Sequence, residues 1–285
     1  MGVVNVTPDS FSDGGHSFGF EAALSHAQGL IRQGADVLDI GGESTRPGAE
    51  PVTISEEMSR VVPLIQALSK LSDIPLSVDT LKPEVAEAAY KAGARIWNDV
   101  SALSYSRLSL ASAGRFQGDV ILMHMQGEPR TMQTSPAYVD VVSEVEAYLL
   151  QRAEVALRSG VARGNIWLDP GIGFGKSLEH NLALIAATQR LASHGFPILM
   201  AASRKRFIAA LEVRDGAAPA DPQDRIGGTL AAHLFALQNG AKMVRVHDVL
   251  AMKQALRVMG ALTRDVHKVG ADEASNFASS TKSKI

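Results

Sequence analysis

The residues able to do chemistry in this chain stand where short apolar runs stop. The residue closing each run is Asn5, Asp39, Asp79, Asn98, His124, Asp169, Ser203 to Lys205, or Arg245 with His247. One polar residue at such a point is ordinary capping or turn chemistry. Eight of eight describe a polar floor suited to a heteroaromatic ring rich in donors and acceptors, with a place for an anion. The stretch Asp169-Pro170-Gly171-Ile172-Gly173-Phe174-Gly175-Lys176 carries glycines that let backbone approach a ligand, and Phe174 offers a stacking face. Alone it is a phosphate-cradling pattern of weak specificity. Ser203-Arg204-Lys205-Arg206 is a basic cluster, and by itself it fits a solvated surface as well as a site. Arg245 and His247 add a second cationic pair, and together the two clusters predict a local anion site.

Elements must bring these residues together. Strands are predicted at Gly2–Val6, Val37–Ile40, Leu76–Val78, Arg95–Trp97, Val120–Met123, Ile166–Leu168, Ile198–Met200 and Met243–Val246. Helical periodicity follows near Glu21–Gln33, Ser55–Leu71, Pro83–Ala92, Ser106–Ala113, Val139–Ser159, Leu178–Ser193, Arg225–Asn239 and Val249–Thr263. Gly34, Gly93, Gly160, Gly195 and Gly240 stand just past helical patterns, where a left-handed residue ends a helix. Eight strand–helix units without a composition break predict an α/β fold, a single-domain (β/α)8 TIM barrel over residues 1–267. A polar tail at 268–285 is expected to be disordered. An open doubly wound sheet is the alternative, but no Gly-x-Gly-x-x-Gly follows the first strand. In a barrel the C-terminal strand ends converge, so the polar residues above become one constellation. The connections at 7–16 and 41–50 have the length of lids or binding loops.

Composition narrows the function classes. The 285 residues are 46% hydrophobic and 20% charged, an ordinary globular balance. A net charge of −2 provides no global field to recruit nucleic acid or an anionic membrane. With no cysteine, disulfides, thiolate nucleophiles and thiolate-ligated metals are excluded. The N-terminus has neither the basic region nor the apolar stretch of a signal peptide, and no apolar run reaches membrane-spanning length, so a cytoplasmic enzyme is expected.

The motifs carry a resemblance. Asn5-Val6-Thr7-Pro8-Asp9-Ser10-Phe11-Ser12-Asp13-Gly14-Gly15 and Asp39-Ile40-Gly41-Gly42-Glu43-Ser44-Thr45-Arg46-Pro47-Gly48 resemble the two signatures of dihydropteroate synthases, pterin-binding TIM-barrel enzymes. Val78-Asp79-Thr80, Asn98-Asp99-Val100, Met123-His124-Met125-Gln126-Gly127, Asp169 to Lys176, Ser203-Arg204-Lys205 and Arg245-Val246-His247 follow in the family's order. The resemblance covers residues 1 to 265 or so, about the whole barrel. It implies condensation of 6-hydroxymethyl-7,8-dihydropterin pyrophosphate with para-aminobenzoate, by SN1-like loss of pyrophosphate. It further implies a homodimer and a sulfonamide target.

On the same basis Asp79, Asn98, Asp169 and Lys205 would hold the pterin, with Met123 and Phe174 covering the ring. Asn5, Arg245 and His247 would meet the pyrophosphate, with Asn5 as ligand to Mg2+. Asp13 would lie near the metal or the developing cation. Thr45, Arg46 and Pro47 would line the aminobenzoate pocket, with Arg206 a further candidate. Members usually carry residues before the first signature, whereas strand one begins here at residue 2, with nothing ahead of it to plug the barrel mouth.

Other polar residues receive structural readings. His124, flanked by Met123 and Met125, is read as a satisfied core histidine. Asp39 and Glu43 could equally hold the second loop through backbone amides, and Asp9 caps a turn. His26, His180, His194, His233 and His267 are assigned to the surface, Trp97 and Trp167 to barrel packing. The competing functions are a pterin-binding methyltransferase barrel, which has no use for the Ser-Thr-Arg-Pro-Gly loop, and a catalytically silent pterin binder.

Overall fold

A computed structural model describes residues 1–6, 15–44, 50–127, 132, 134–214 and 216–263. Asp9, Asp13, Thr45, Arg46, Pro47 and the predicted tail 268–285 lie outside the described residues.

Eight parallel strands form the barrel: β1 (Gly2–Asn5), β2 (Leu38–Gly41), β3 (Leu76–Asp79), β4 (Ile96–Asp99), β5 (Asp119–Met123), β6 (Ile166–Asp169), β7 (Leu199–Met200) and β8 (Met243–Val244). Strands β1 to β6 pair in sequence order, and β7 pairs with β8. Single bridges, Leu168 to Ile198 and Gly2 to Val246, join the two pieces and close the ring. The strands are largely buried, as a parallel sheet covered by helices requires.

Among the described residues the helices are α1 (Gly15–Arg32), α2 (Ile54–Leu71), α3 (Pro83–Ala92), α4 (Ser109–Arg115), α5 (Val141–Arg158), α6 (Leu178–Ala186), α7 (Thr188–Ala192), α8 (Arg206–Arg214), α9 (Ile226–Gln238) and α10 (249–263). Their starts follow local chemistry. Asp140 accepts the amides of Val142 and Ser143 to cap α5, and Ser177 with His180 forms a capping box on α6. Helix α2 buries Val61, Leu64, Ile65 and Leu68, the spacing of one helical face. The five glycines expected beyond helix ends all have positive φ, between 77° and 102° for four of them and 125° at Gly93.

Two helical expectations need correction. The stretch 178–193 is two helices that part at Ala187, not one. Helix α8, immediately after Lys205, was not anticipated. Its residues Arg206–Arg214 open with a basic residue inside what reads as a charged loop, and the apolar Phe207, Ile208 and Ala209 are too short a run to show a period.

Candidate active site

Strand geometry brings most of the predicted residues to one mouth. Register aligns Asn5 with Gly41, Gly41 with Asp79, Asp79 with Asn98, and Met123 with Asp169, so these side chains lie in neighbouring layers at the C-terminal ends. Asn98, Met123 and Asp169 are buried, while Asn5 and Asp79 are partly so.

Asp39 sits at the centre of the charge network, completely buried. Its Oδ2 accepts from Arg245 Nε at 2.6 Å and from Asn98 Nδ2 at 3.1 Å. Arg245 Nη2 donates to Asp79 Oδ2 at 2.8 Å. One guanidinium just past β8 thus bridges carboxylates on β2 and β3. Burial pushes the Asp79 carboxyl up to about 7, against the pull of Arg245, with Asp39 adding repulsion. The two carboxylates hold Arg245 above its ordinary range despite burial.

Lys205 faces this group from the β7 side. Its ammonium donates to the Ile172 carbonyl and lies 4.6 Å from the centre of the Phe174 ring. Burial lowers it to about 8, with the Asp169 carboxylate opposing the shift. Asp169 is itself raised, chiefly by burial, and its Oδ1 accepts the Gly171 amide at 2.7 Å. A ligand with adjacent N–H donors therefore meets a carboxylate already half engaged. On β8's extension, His247 Nδ1 lies 3.0 Å from Ser203 Oγ, which also takes the His247 amide at 3.2 Å.

The basic cluster at 203–206 divides. Arg204, at φ 59°, turns to Asp248 through Nε at 2.8 Å, and its amide donates to Thr229 Oγ1. Arg206 is exposed on the first turn of α8, so only Lys205 points into the charge network. The glycines after β6 also serve the packing of the protein itself. A Cβ on Gly171 would stand 1.9 Å from the His124 carbonyl oxygen, and one on Gly175 2.4 Å from that of Gln126. These two let stretches of protein backbone meet, whereas a Cβ on Gly173 would stand 3.1 Å from the Lys205 side chain.

Other assignments are corrected or sustained by their partners. Among the described residues Asp39 engages Arg245 and Asn98, and Glu43 the Lys82 ammonium, in place of backbone amides. His233 is fully buried rather than on the surface, accepting the Ala202 amide at 2.9 Å through Nε2. His124 is the buried histidine expected, with Nδ1 3.0 Å from Lys176 Nζ; burial and that lysine lower it to about 3, so it stays neutral. Trp97 and Trp167 donate to the Thr80 carbonyl and Asp119, as packing residues with satisfied indoles. Sequence reasoning missed three buried groups: Asp39 as the hub, Lys82 and Lys176. Asp39 and Lys176 stand in motifs already noted, but their pairings, like those of Lys82, join residues distant in the chain and are not marked by spacing.

Comparison with known proteins meets this geometry directly. A model of the pterin binding enzymes matches residues 1–247. Dihydropteroate synthase of Synechocystis is 43% identical over 93% of this chain and 90% of its own length. The chain belongs to the pterin binding enzyme family, among the dihydropteroate synthases. A Xanthomonas albilineans dihydropteroate synthase solved with 4-aminobenzoic acid superposes with a TM-score of 0.85 at 47% identity, covering 92% of each chain. The same organism's enzyme in complex with 7,8-dihydropteroate gives 0.82 at 44% identity, again over 92% of both chains. No described helix of this family member is long and apolar enough to cross a membrane.

Proposed function

We propose that this chain condenses 6-hydroxymethyl-7,8-dihydropterin pyrophosphate with para-aminobenzoate, giving 7,8-dihydropteroate and pyrophosphate. The observation that carries it is the opposition across one barrel mouth of Asp79, Asn98 and Asp169 to Lys205, Arg245 and His247. Carboxylates suit the donor edge of a pterin, and Lys205, held by Phe174 and Ile172, suits its acceptors. Met123 and Phe174 cover the apolar ring faces. Arg245 and His247 take the pyrophosphate, and for Arg245 that means partial release from Asp39 and Asp79.

Magnesium fits the residues present. Asn5 ends β1 with a neutral amide oxygen, and the described residues contain no cluster of three or more His, Cys, Asp or Glu able to hold a metal. That suits an ion that keeps its waters and leans on substrate phosphates. Asn5 would hold it, with Asp13 near it, and when bound it offsets charge on the departing diphosphate. Pyrophosphate leaves the pterin methylene before the amine attacks, so the protein's tasks are to hold the ring, receive the anion and exclude water. The amine of para-aminobenzoate is neutral at pH 7 and needs no strong base before attack. Thr45, Arg46 and Pro47 line its pocket, with Arg206 at the margin.

The reading includes a cytoplasmic homodimer built on the barrel of 1–267, with 268–285 as a tail. Supporting self-association, Phe235 on α9 and Leu250, Val258 and Leu262 on α10 are exposed apolar residues on neighbouring helices of the C-terminal half. Pyrophosphate release requiring both the pterin substrate and para-aminobenzoate is the test; release that requires neither the amine nor Mg2+ would sink the proposal.

A further inference from the structure

We infer that Lys82 is a positioning residue for the para-aminobenzoate side of the site, clasping both ends of the connection between β2 and α2. The inference rests on the reading that Thr45, Arg46 and Pro47, within that connection, line the aminobenzoate pocket.

Lys82 is 3% exposed, rare for a lysine, and each of its three N–H donors has a separate acceptor. One goes to the Glu43 carboxylate, one to the Val52 carbonyl at 2.8 Å, and one to the Glu57 carboxylate at 2.6 Å. Glu43 precedes the loop motif and Val52 follows it. Glu57 lies on α2, whose N-cap is Thr53. A single ammonium therefore ties the departure of the chain, its return and the receiving helix. The two carboxylates more than offset the effect of burial and keep Lys82 above its ordinary range, so the clasp stays charged.

The clasp is itself anchored to the pterin side. Lys82 follows Asp79 by three residues, and its amide donates to Thr80 Oγ1 at 3.2 Å. Glu43, Glu57, Asp79 and Thr80 line one small pocket. From the other side Arg60 Nη1 donates to the Gly42 carbonyl at 2.7 Å, and a Cβ on Gly42 would stand 2.8 Å from Val61 Cγ1. The start of the connection is pressed onto α2, with no room for a side chain at Gly42. For stability alone, apolar side chains of the same volume serve as well as a buried ion cluster. What the ions add is a fixed separation between Glu43 and Val52.

The test is steady-state kinetics of the full chain carrying Glu43→Gln, beside Lys82→Met with Glu57→Leu, which removes charge and countercharge together. Thermal unfolding and binding of a pterin analogue are measured on the same samples. The expected result is a rise of about tenfold in KM for para-aminobenzoate with KM for the pterin substrate within about twofold, because small misplacements distant from the chemistry are felt at the substrate they orient. Lower thermal stability with both Michaelis constants unchanged makes Lys82 merely structural and overturns the inference. Equal loss for both substrates, with the analogue no longer bound, also overturns it. Arg46→Ala separates the two levels: a defective Arg46 variant beside a silent Glu43 variant refutes the clasp alone, whereas silence in both refutes the reading of the loop.

Discussion

Replacing Asp39 with asparagine probes the charge network where its partners meet. The substitution keeps the shape and one acceptor but removes the charge that holds Arg245 at 2.6 Å. Loss of a charge-assisted bond of that kind costs about 1.5–3 kcal/mol. Two effects oppose it. Asp39 repels ionised Asp79, and among the described residues its buried Oδ1 has no hydrogen-bond partner, so neutralising it returns on the order of 1 kcal/mol. The net misplacement of Arg245 then lowers kcat/KM for the pterin substrate by about 2- to 30-fold, taking about 1.4 kcal/mol per decade. The pH dependence has a definite sign. Asp79 sits near 7 in the folded chain against an ordinary 3.8, so the folded state holds a proton that the unfolded chain has lost. Stability therefore falls as pH rises from about 4 to 7, and Asp39→Asn, by lowering the folded value, shrinks that fall. Denaturant unfolding at pH 5 and pH 7.5 with parallel kinetics reads both effects. A variant with kcat/KM within about twofold of the parent and an unchanged pH dependence of stability refutes the hub assigned to Asp39.

Gly171→Ala is expected to cost more than about 3 kcal/mol, from the left-handed backbone at φ 68° and a Cβ 1.9 Å from the His124 carbonyl; an unchanged urea midpoint contradicts the packing described. Lys176 is buried against the His124 ring and two carbonyls, and burial lowers it to about 7 from 10.5. The unfolded chain keeps that proton across the interval, so parent stability rises with pH between 7 and 10.5, and Lys176→Met flattens the rise in unfolding measured at pH 6.5 and 9, leaving the smaller part owed to Lys205. Chelation by EDTA is expected to stop pyrophosphate release and added Mg2+ to restore it, with a pterin without phosphates binding as before in calorimetry; weakened binding of that pterin places the ion elsewhere than beside the diphosphate.

The alternation of apolar runs and helical periods made the barrel legible, because each βα unit is a local pattern. The strands lie within about two residues of their expected ends, and Pro83–Ala92 matches at both ends, set by a proline at its start and Gly93 after it. Helix α8 escaped because its period is too short to stand out beside Arg204 and Lys205. At the site, residue types at strand ends were readable from chain position, but pairings were not. Arg245 meets Asp39 across 206 residues of sequence, a relation created by closure of the ring. His233 looked like a surface histidine on an apolar helix until Ala202 supplied its partner from β7's extension. The glycines after β6 were noticed for close approach, and the backbone neighbours of Gly171 and Gly175, the carbonyls of His124 and Gln126, were not readable from the chain.

The strand pair β7–β8 meets the six-stranded sheet through one bridge on each side. Lys205, Arg245 and His247 follow that pair, whereas Asn5, Asp79, Asn98 and Asp169 belong to the larger sheet. A ligand gripped by both groups is therefore a cross-link over the two thinnest joints of the cylinder. Its binding should slow amide hydrogen exchange most at Val3, Leu168 and Val246, whose N–H groups span those joints to Val246, Pro197 and Met1. In this barrel the substrate would act as a rivet, completing the wall that holds it.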